Sequence, residues 1–183
     1  MNYYISDYHL GFERAHIIDK APYKEQEERF CDLVNNWNSC VKQEDTVYIL
    51  GDLIWKSEYE DIAVSFLSQT NGKKYLVTGN HDQIEKCDRL KKELIGFSNI
   101  AEVADGEYCL ILCHYPMPFY PHQSKDAIML YGHIHNSKYN NMLLRWQVEL
   151  ADNEMNCKMI NVGCMMPYMN FTPKTLQQLL EST

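Results

Sequence analysis

The sequence predicts an α/β fold of two packed β-sheets with helices on their outer faces. Three observations carry this. Strand-like and helix-like stretches alternate as β–α–β–α–β through the first half, an order that implies parallel strands joined by right-handed crossovers. Strand-like stretches dominate the second half, where Asp105-Gly106 suits a tight hairpin. The 183 residues, 45% hydrophobic and 23% charged, fit one domain over residues 1–183 whose core needs no disulfide or metal.

Each element has its own signal. Asn2 to Ser6 reads as the first strand. Lys24 to Val41 carries Phe30, Leu33, Val34, Trp37 and Val41 at helical spacing. Thr46 to Leu50 is β-branched and aromatic, and this strand stops at Gly51-Asp52. A second helix opens at Ser57 or Glu58 and runs through Ile62, Phe66 and Leu67. Lys74 to Thr78 is the next strand, ending at Gly79-Asn80, and Gln83 to Ile95 reads as a third helix. Ile100 to Val103 and Glu107 to Cys113 form the hairpin. Ala127 to Tyr131, Leu143 to Leu150 and Lys158 to Val162 are further strands. Thr172-Pro173 opens the last helix, which docks through Leu176, Leu179 and Leu180.

Composition narrows the function. Lys plus Arg number 17 against 25 Asp plus Glu, a net charge of −8. Such a surface attracts duplex nucleic acid poorly, so no duplex partner is expected. An enzyme that reaches an anion through bound cations stays open. Cysteines stand at 31, 40, 87, 109, 113, 157 and 164, an odd number without CxxC spacing. They read as reduced thiols of a cytoplasmic protein. The first residues have no signal-peptide pattern, and no apolar run approaches the roughly 20 residues of a membrane span, so no membrane partner is expected. Nothing in the sequence fixes the oligomeric state.

The chemistry sits in five short segments: Asp7-Tyr8-His9, Gly51-Asp52, Gly79-Asn80-His81-Asp82, His114 and Gly132-His133-Ile134-His135. Each follows a predicted strand, and ligand sites in open α/β sheets lie beyond the carboxyl ends of strands. Taken singly, each has an ordinary reading as a turn, a helix cap or a core histidine. Taken together, they hold five of the seven histidines beside carboxylates and an amide. Imidazole and carboxylate suit zinc, manganese and iron. Seven such groups exceed what one four- to six-coordinate ion takes, and one carboxylate bridging two ions resolves the excess. Two ions about 3.5–4 Å apart clamp a phosphate and activate a bridging hydroxide.

This ordered set resembles the calcineurin-like metallophosphoesterase superfamily, in its small single-domain bacterial and phage branch. The likeness extends over Ser6-Asp7-Tyr8-His9-Leu10-Gly11, Asn36-Trp37-Asn38, Asp45 to Asp52, Asn71-Gly72-Lys73-Lys74, Gly79 to Asp82, His114-Tyr115-Pro116, Gly132 to His135 and Ile160-Asn161-Val162-Gly163. The resemblance implies a four-layer α/β/β/α sandwich, two mixed β-sheets flanked by helices. It implies that Asp7, His9 and His135 hold one metal, that Asn80, His114 and His133 hold a second, and that Asp52 bridges them. His81 then stays off the metals, as the catalytic residue that contacts the phosphate or protonates the leaving oxygen. The expected activity is hydrolysis of phosphoric esters by two divalent ions. A phosphodiesterase acting on a small phosphoester or nucleotide-type substrate is favoured. A phosphomonoesterase, a single-strand nuclease or a silent binding scaffold are the alternatives. Manganese is the expected metal, with iron, zinc, nickel and magnesium behind it; imidazole-rich sites argue against magnesium alone.

The chain departs from the family at informative places. Many members carry an Asp three residues after the bridging one, where it orients the catalytic His; here Trp55 stands there. Lys56 replaces the Arg of family protein phosphatases, and Phe12 and Ala21 replace a His and an Arg common in the close branch. Asp82 either orients His81 in place of the missing Asp or caps the following helix. Arg14, His16 and His122 are the candidate replacement substrate contacts. Tyr115 to Pro121 either walls the substrate pocket or covers the core. Cys164-Met165-Met166 reads as core packing and Lys91-Lys92 as a solvated helix face.

Overall fold

A computed structural model describes residues 1–14, 23 and 25–183. The first sheet comprises β1 (Asn2–Ile5), β2 (Thr46–Ile49), β3 (Lys73–Val77) and β4 (Gly96–Ser98), in that order and parallel throughout. The helices α1 (Gln26–Cys40), α2 (Glu60–Gln69) and α3 (Asp88–Lys92) form the crossovers. An antiparallel bridge of Tyr4 to Lys174 on the outer edge of β1 gives this sheet its mixed character. The second sheet orders β5 (Ile100–Asp105), β6 (Tyr108–Cys113), β7 (Ile128–Tyr131) and β8 (Lys158–Asn161). Its first two strands are the antiparallel hairpin over Asp105-Gly106, and the remaining pairs are parallel. The helices α4 (Lys138–Asp152) and α5 (Leu176–Ser182) complete the chain.

The period-two alternation of strands builds the layers. Leu110, Leu112, Ile128, Leu130 and Ile160 of the second sheet join Ile5, Ile49, Leu76 and Val77 of the first in one core. Their neighbours Ile111, Cys113, Met129, Tyr131 and Met159 point the other way into a smaller cluster with Leu143 of α4. Trp37 of α1 and Phe66 of α2 meet edge to face at 5.8 Å. The chain past β1 runs beside the chain past β8: Ser6 N donates to Val162 O (2.9 Å) and Cys164 N to Ser6 O (2.9 Å). That pairing sets the carboxyl ends of the two sheets together.

Several quoted motifs prove to be scaffold. Trp37 Nε1 donates to Asn71 O (2.9 Å), Asn71 N to Asn38 Oδ1 (2.8 Å) and Asn38 Nδ2 to Gln69 O (2.9 Å), tying α1 to the entry of β3. Cys164, Met165 and Met166 are buried in the core as expected. Lys91 Nζ meets Asp88 Oδ1 at 2.9 Å on the surface of α3. None of the seven cysteines, all among the described residues, forms a disulfide. Among the described residues no helix is long and apolar enough to cross a membrane.

Four elements differ from expectation. Leu143 to Leu150 is not a strand but the second half of α4, which Ser137 caps by accepting from Tyr139 N (3.2 Å). Its apolar residues Leu143, Trp146 and Leu150 fit helical spacing, and a short apolar run does not by itself separate the two states. Gln83 to Ile95 is broken: Gln83 sits at φ 38°, a 3-10 turn covers Ile84–Lys86, and α3 is only five residues long. The chain then enters β4, which was not expected; Ile95 N already donates to Lys74 O (2.8 Å). The last helix starts at Leu176, not at Thr172-Pro173. Thr175 and Gln178 form a capping box while Lys174 is held by β1. The expected helix start at Lys24 lies outside the described residues.

Candidate metal centre

Five of the seven expected ligands sit in left-handed backbone: Asp7 (φ 63°), His9 (45°), Asp52 (52°), His133 (67°) and His135 (48°). Each such residue costs about 1–3 kcal/mol and persists only where its surroundings over-determine it. Here the loops are laced together. Asp7 N donates to Gly51 O (3.0 Å), His9 N to Asp52 O (2.8 Å), Leu10 N to Leu53 O (2.8 Å) and Gly132 N to His114 O (2.9 Å). The turns swing side chains that would otherwise alternate across a sheet onto one side.

Two groups of donors result. Asp7, His9 and His135 bring one donor atom each within 4.8 Å of one another, and so do Asp52, His114 and His133. Asn80 joins the second group, its Oδ1 lying 3.3 Å from His114 Nε2. Asp52 stands between the two. Its Oδ2 is 3.3 Å from His9 Nε2 and 3.3 Å from His114 Nε2. His81 also approaches, within 4.8 Å of donors on His9 and Asp52.

The ring orientations are fixed from behind. His9 Nδ1 lies 3.1 Å from Asp7 O and His114 Nδ1 lies 2.8 Å from Leu50 O. An Nδ1–H donated to a carbonyl aims Nε2 at the cluster, where it can ligate once it carries no proton, the orientation of metal-ligating histidine. Asp7 Oδ2 accepts from Ser6 Oγ (2.6 Å), and the Asp7 carboxylate also accepts from His133 N (3.1 Å to Oδ1). Asn161 Nδ2 donates to His135 O (3.2 Å) while its Oδ1 accepts from Gly163 N (2.9 Å).

Charge balances inside this buried space. Burial opposes ionisation of Asp52, but hydrogen bonds from His114 and His9 hold its carboxyl far below the usual carboxylate range. Burial likewise opposes the His114 imidazolium, yet Asp52 and Asp7 push its pKa up to about 9. Burial lowers His81 and His133. Burial raises Asp82 to about 6, against the pull of the backbone N–H groups on it.

The donors fit divalent cations on chemical grounds. Carboxylates, imidazole nitrogens and an amide oxygen converge, the imidazoles are oriented through Nδ1, and no thiol is among them. Two glycines leave room for the approach. A Cβ on Gly79 would overlap Asp52 Oδ1, and a Cβ on Gly132 would come 2.5 Å from Asp7 Oδ2.

Comparison with known proteins agrees. The profile of the calcineurin-like phosphoesterases matches residues 3–148. The chain belongs to the calcineurin-like phosphoesterase family. An uncharacterised protein of Methanocaldococcus jannaschii is 33% identical over 135 residues, which span 73% of this chain and 68% of that protein. The gene 66 protein of Mycobacterium phage L5 is 29% identical over 161 residues, spanning 73% of this chain and 77% of that protein. The solved structure of a protein of unknown function from Aquifex aeolicus shares the fold with a TM-score of 0.73, at 21% identity, over 100% of this chain and 99% of that one.

Within this calcineurin-like phosphoesterase the remaining expected residues divide. The cleft is lined by His9, Phe12, Asp52, Trp55, Asn80, His81, His133 and His135. Asp82 neither orients His81 nor caps a helix. It is wholly buried, and its carboxylate accepts from the backbone N–H groups of Gly79, Asp52, Leu53 and Ile54. Arg14 is exposed and does not line the cleft. His122 pairs with Glu102 at 3.2 Å on the second sheet, away from the cleft lining. His16 lies outside the described residues, as does Ala21. Of Tyr115 to Pro121 only Tyr115 reaches the rim, edge-on to His133 at 4.8 Å. Tyr120 is buried, its hydroxyl 3.1 Å from Ala127 O. Sequence reasoning quoted Ser6 and Asn161 inside motifs without giving them a role. The signal for Ser6 was a short polar residue beside Asp7 at a strand end, and for Asn161 a polar residue closing the apolar run of β8.

Proposed function

We propose that this chain hydrolyses phosphodiesters with two divalent metal ions, manganese first among them. Asp7, His9 and His135 would hold one ion, Asn80, His114 and His133 the other, and Asp52 would serve both. Such ions supply positive charge against the phosphoryl oxygens and lower the pKa of a water nucleophile. The rest is the chain's own work. His81 donates its backbone N–H to Asp52 Oδ1 (2.9 Å) and turns its ring into the cleft, where it meets the phosphate or, as the imidazolium, hands its Nε2 proton to the leaving oxygen and keeps the one on Nδ1 toward Trp55 O.

The observation that carries this reading is the shared Asp52 oxygen, 3.3 Å from one imidazole of each donor group. The preference for diesters rests on the cleft lining, which among the described residues contains no Lys or Arg to offset the second charge of a monoester. The substrate class that goes with this reading is a small phosphoester or nucleotide-type molecule. Seven cysteines without a disulfide suit a reducing cytoplasm. Counting bound manganese by elemental analysis, with turnover of bis(p-nitrophenyl) phosphate, tests the assignment. Wild type should hold two ions per chain. Asp52→Asn and His114→Ala should hold fewer and lose turnover while keeping their circular dichroism. Undiminished turnover in either variant contradicts the proposal.

A further inference from the structure

Trp55 stands three residues after Asp52, and the structure gives it two contacts with His81. The Trp55 carbonyl oxygen lies 3.0 Å from His81 Nδ1. The indole stacks on the imidazole, with centroids 4.0 Å apart and planes 22° apart. Phe12 stacks on the other face of the indole at 4.0 Å and 20°. The Trp55 backbone is itself pinned, its N–H donating to Leu10 O (3.0 Å). We infer that Trp55 is a positioning residue that orients His81 without a carboxylate.

The two contacts fix different freedoms. A hydrogen bond at Nδ1 decides which ring nitrogen faces the cleft. It leaves the ring free to swing about that bond. The stack removes the swing by presenting a flat surface to the imidazole face, and Phe12 keeps the indole from rotating away. The remaining nitrogen, Nε2, is then the one offered to a substrate in the cleft that both rings line. Among the described residues no other carboxylate takes up the task. Asp82 is taken up by four backbone N–H groups, and Asp52 lies between His9 and His114. A further carboxylate at position 55 would add negative charge beside Asp52, where an indole adds none.

This inference rests on the reading of the chain as a phosphoesterase with His81 at the leaving group, and its test separates the two. Trp55→Ala keeps the backbone carbonyl and removes the stack; Trp55→Phe keeps a flat ring. The carbon-bound imidazole protons of His81, assigned against His81→Ala, should lie upfield in wild type from the indole ring current. They should move downfield in Trp55→Ala and return part-way in Trp55→Phe. With manganese, Trp55→Ala should lower kcat on diphenyl phosphate about tenfold, a part of the roughly 10²–10⁴ of general acid catalysis, with KM little changed. The loss on bis(p-nitrophenyl) phosphate, whose leaving group needs less protonation, should be smaller, and Trp55→Phe should recover most of it. In the His81→Ala background, Trp55→Ala should add nothing. Losses that multiply with those of His81→Ala, or that fall equally on both esters, overturn the inference, as does a His81 resonance that does not move. Absence of metal-dependent turnover in wild type overturns the phosphoesterase reading instead, while the His81 resonances still report the stack.

Discussion

Asp82 holds Asp52 from behind. Its Oδ2 accepts from Asp52 N (2.9 Å) and Gly79 N (2.7 Å), and its Oδ1 accepts from Leu53 N (2.9 Å) and Ile54 N (3.3 Å). One buried carboxylate thereby fastens the turn after β2 to the turn after β3. The backbone of the residue proposed to serve both ions is set by a side chain 30 residues further along the chain.

Asp82→Ala should be among the most damaging single changes in the protein. It leaves up to four N–H groups without their acceptor, each buried orphan costing about 1–3 kcal/mol when solvent does not reach it. A loss of about 3–5 kcal/mol in a urea titration is expected. Where the variant still folds, its manganese affinity should fall about 10–100-fold, as for other outer supports of metal ligands. Stability within 1 kcal/mol of wild type, on the roughly additive scale of surface changes, contradicts this role.

Gly79→Ala probes the cradle rather than the brace. The added Cβ overlaps Asp52 Oδ1 and lies near the Asp52 backbone, so Asp52 must shift. A displacement of about 1 Å at a reacting centre costs about 10² in rate. Turnover should fall by that order or more, and the thermal midpoint should fall with it because the Cβ also meets the Asp52 backbone N at 2.6 Å, read by parallel kinetics and calorimetry; wild-type turnover contradicts the tight cradle.

His114 gives metal uptake a pH dependence. Burial opposes its charge, but Asp52 and Asp7 raise its pKa to about 9 in the metal-free protein. Imidazole ligates only when neutral, so below that pH an incoming ion must expel the proton. Apparent affinity should therefore rise with pH, about tenfold per unit between pH 7 and 9, and level off above. Calorimetric titration with manganese at pH 7.5 in buffers of different ionisation enthalpy should report about one proton released from this residue. Uptake without proton release contradicts the assignment of His114.

The cleft lining bears on the ester class. Among the described residues the lining holds no Lys or Arg, so a monoester dianion gains no fixed partner from them beyond the ions. At pH 8, kcat/KM for bis(p-nitrophenyl) phosphate should exceed that for p-nitrophenyl phosphate by about tenfold or more, each tenfold being about 1.4 kcal/mol of transition-state binding. The reverse order marks a monoesterase.

The donors were legible because their signal is local. Asp7-Tyr8-His9, Gly79-Asn80-His81-Asp82 and His133-Ile134-His135 pack two or more donor-type residues into one strand-end turn, and parallel strands align such turns. The role of Asp82 was not legible, because its partners are main-chain N–H groups 28 to 30 residues away as well as the nearby Gly79. The role of Trp55 was hidden similarly: half of it lies in a carbonyl oxygen, which every residue has. In the fold, β1, β2 and β3 were readable from β-branched and aromatic runs that stop at Ser6-Asp7, Gly51-Asp52 and Gly79-Asn80. The α4 helix was misread because its cap, Ser137, lies six residues before the apolar run that drew attention. The start of α5 was misplaced because Thr172-Pro173 imitates a cap that Thr175 supplies with Gln178.

The most direct test of the central claim is hydrolysis of bis(p-nitrophenyl) phosphate by metal-stripped protein, with and without added manganese. Turnover that is absent in the stripped protein and saturates at two manganese ions per chain is the predicted result. Turnover unaffected by stripping, or tight uptake of two ions with no hydrolysis of this ester or of p-nitrophenyl phosphate, contradicts it.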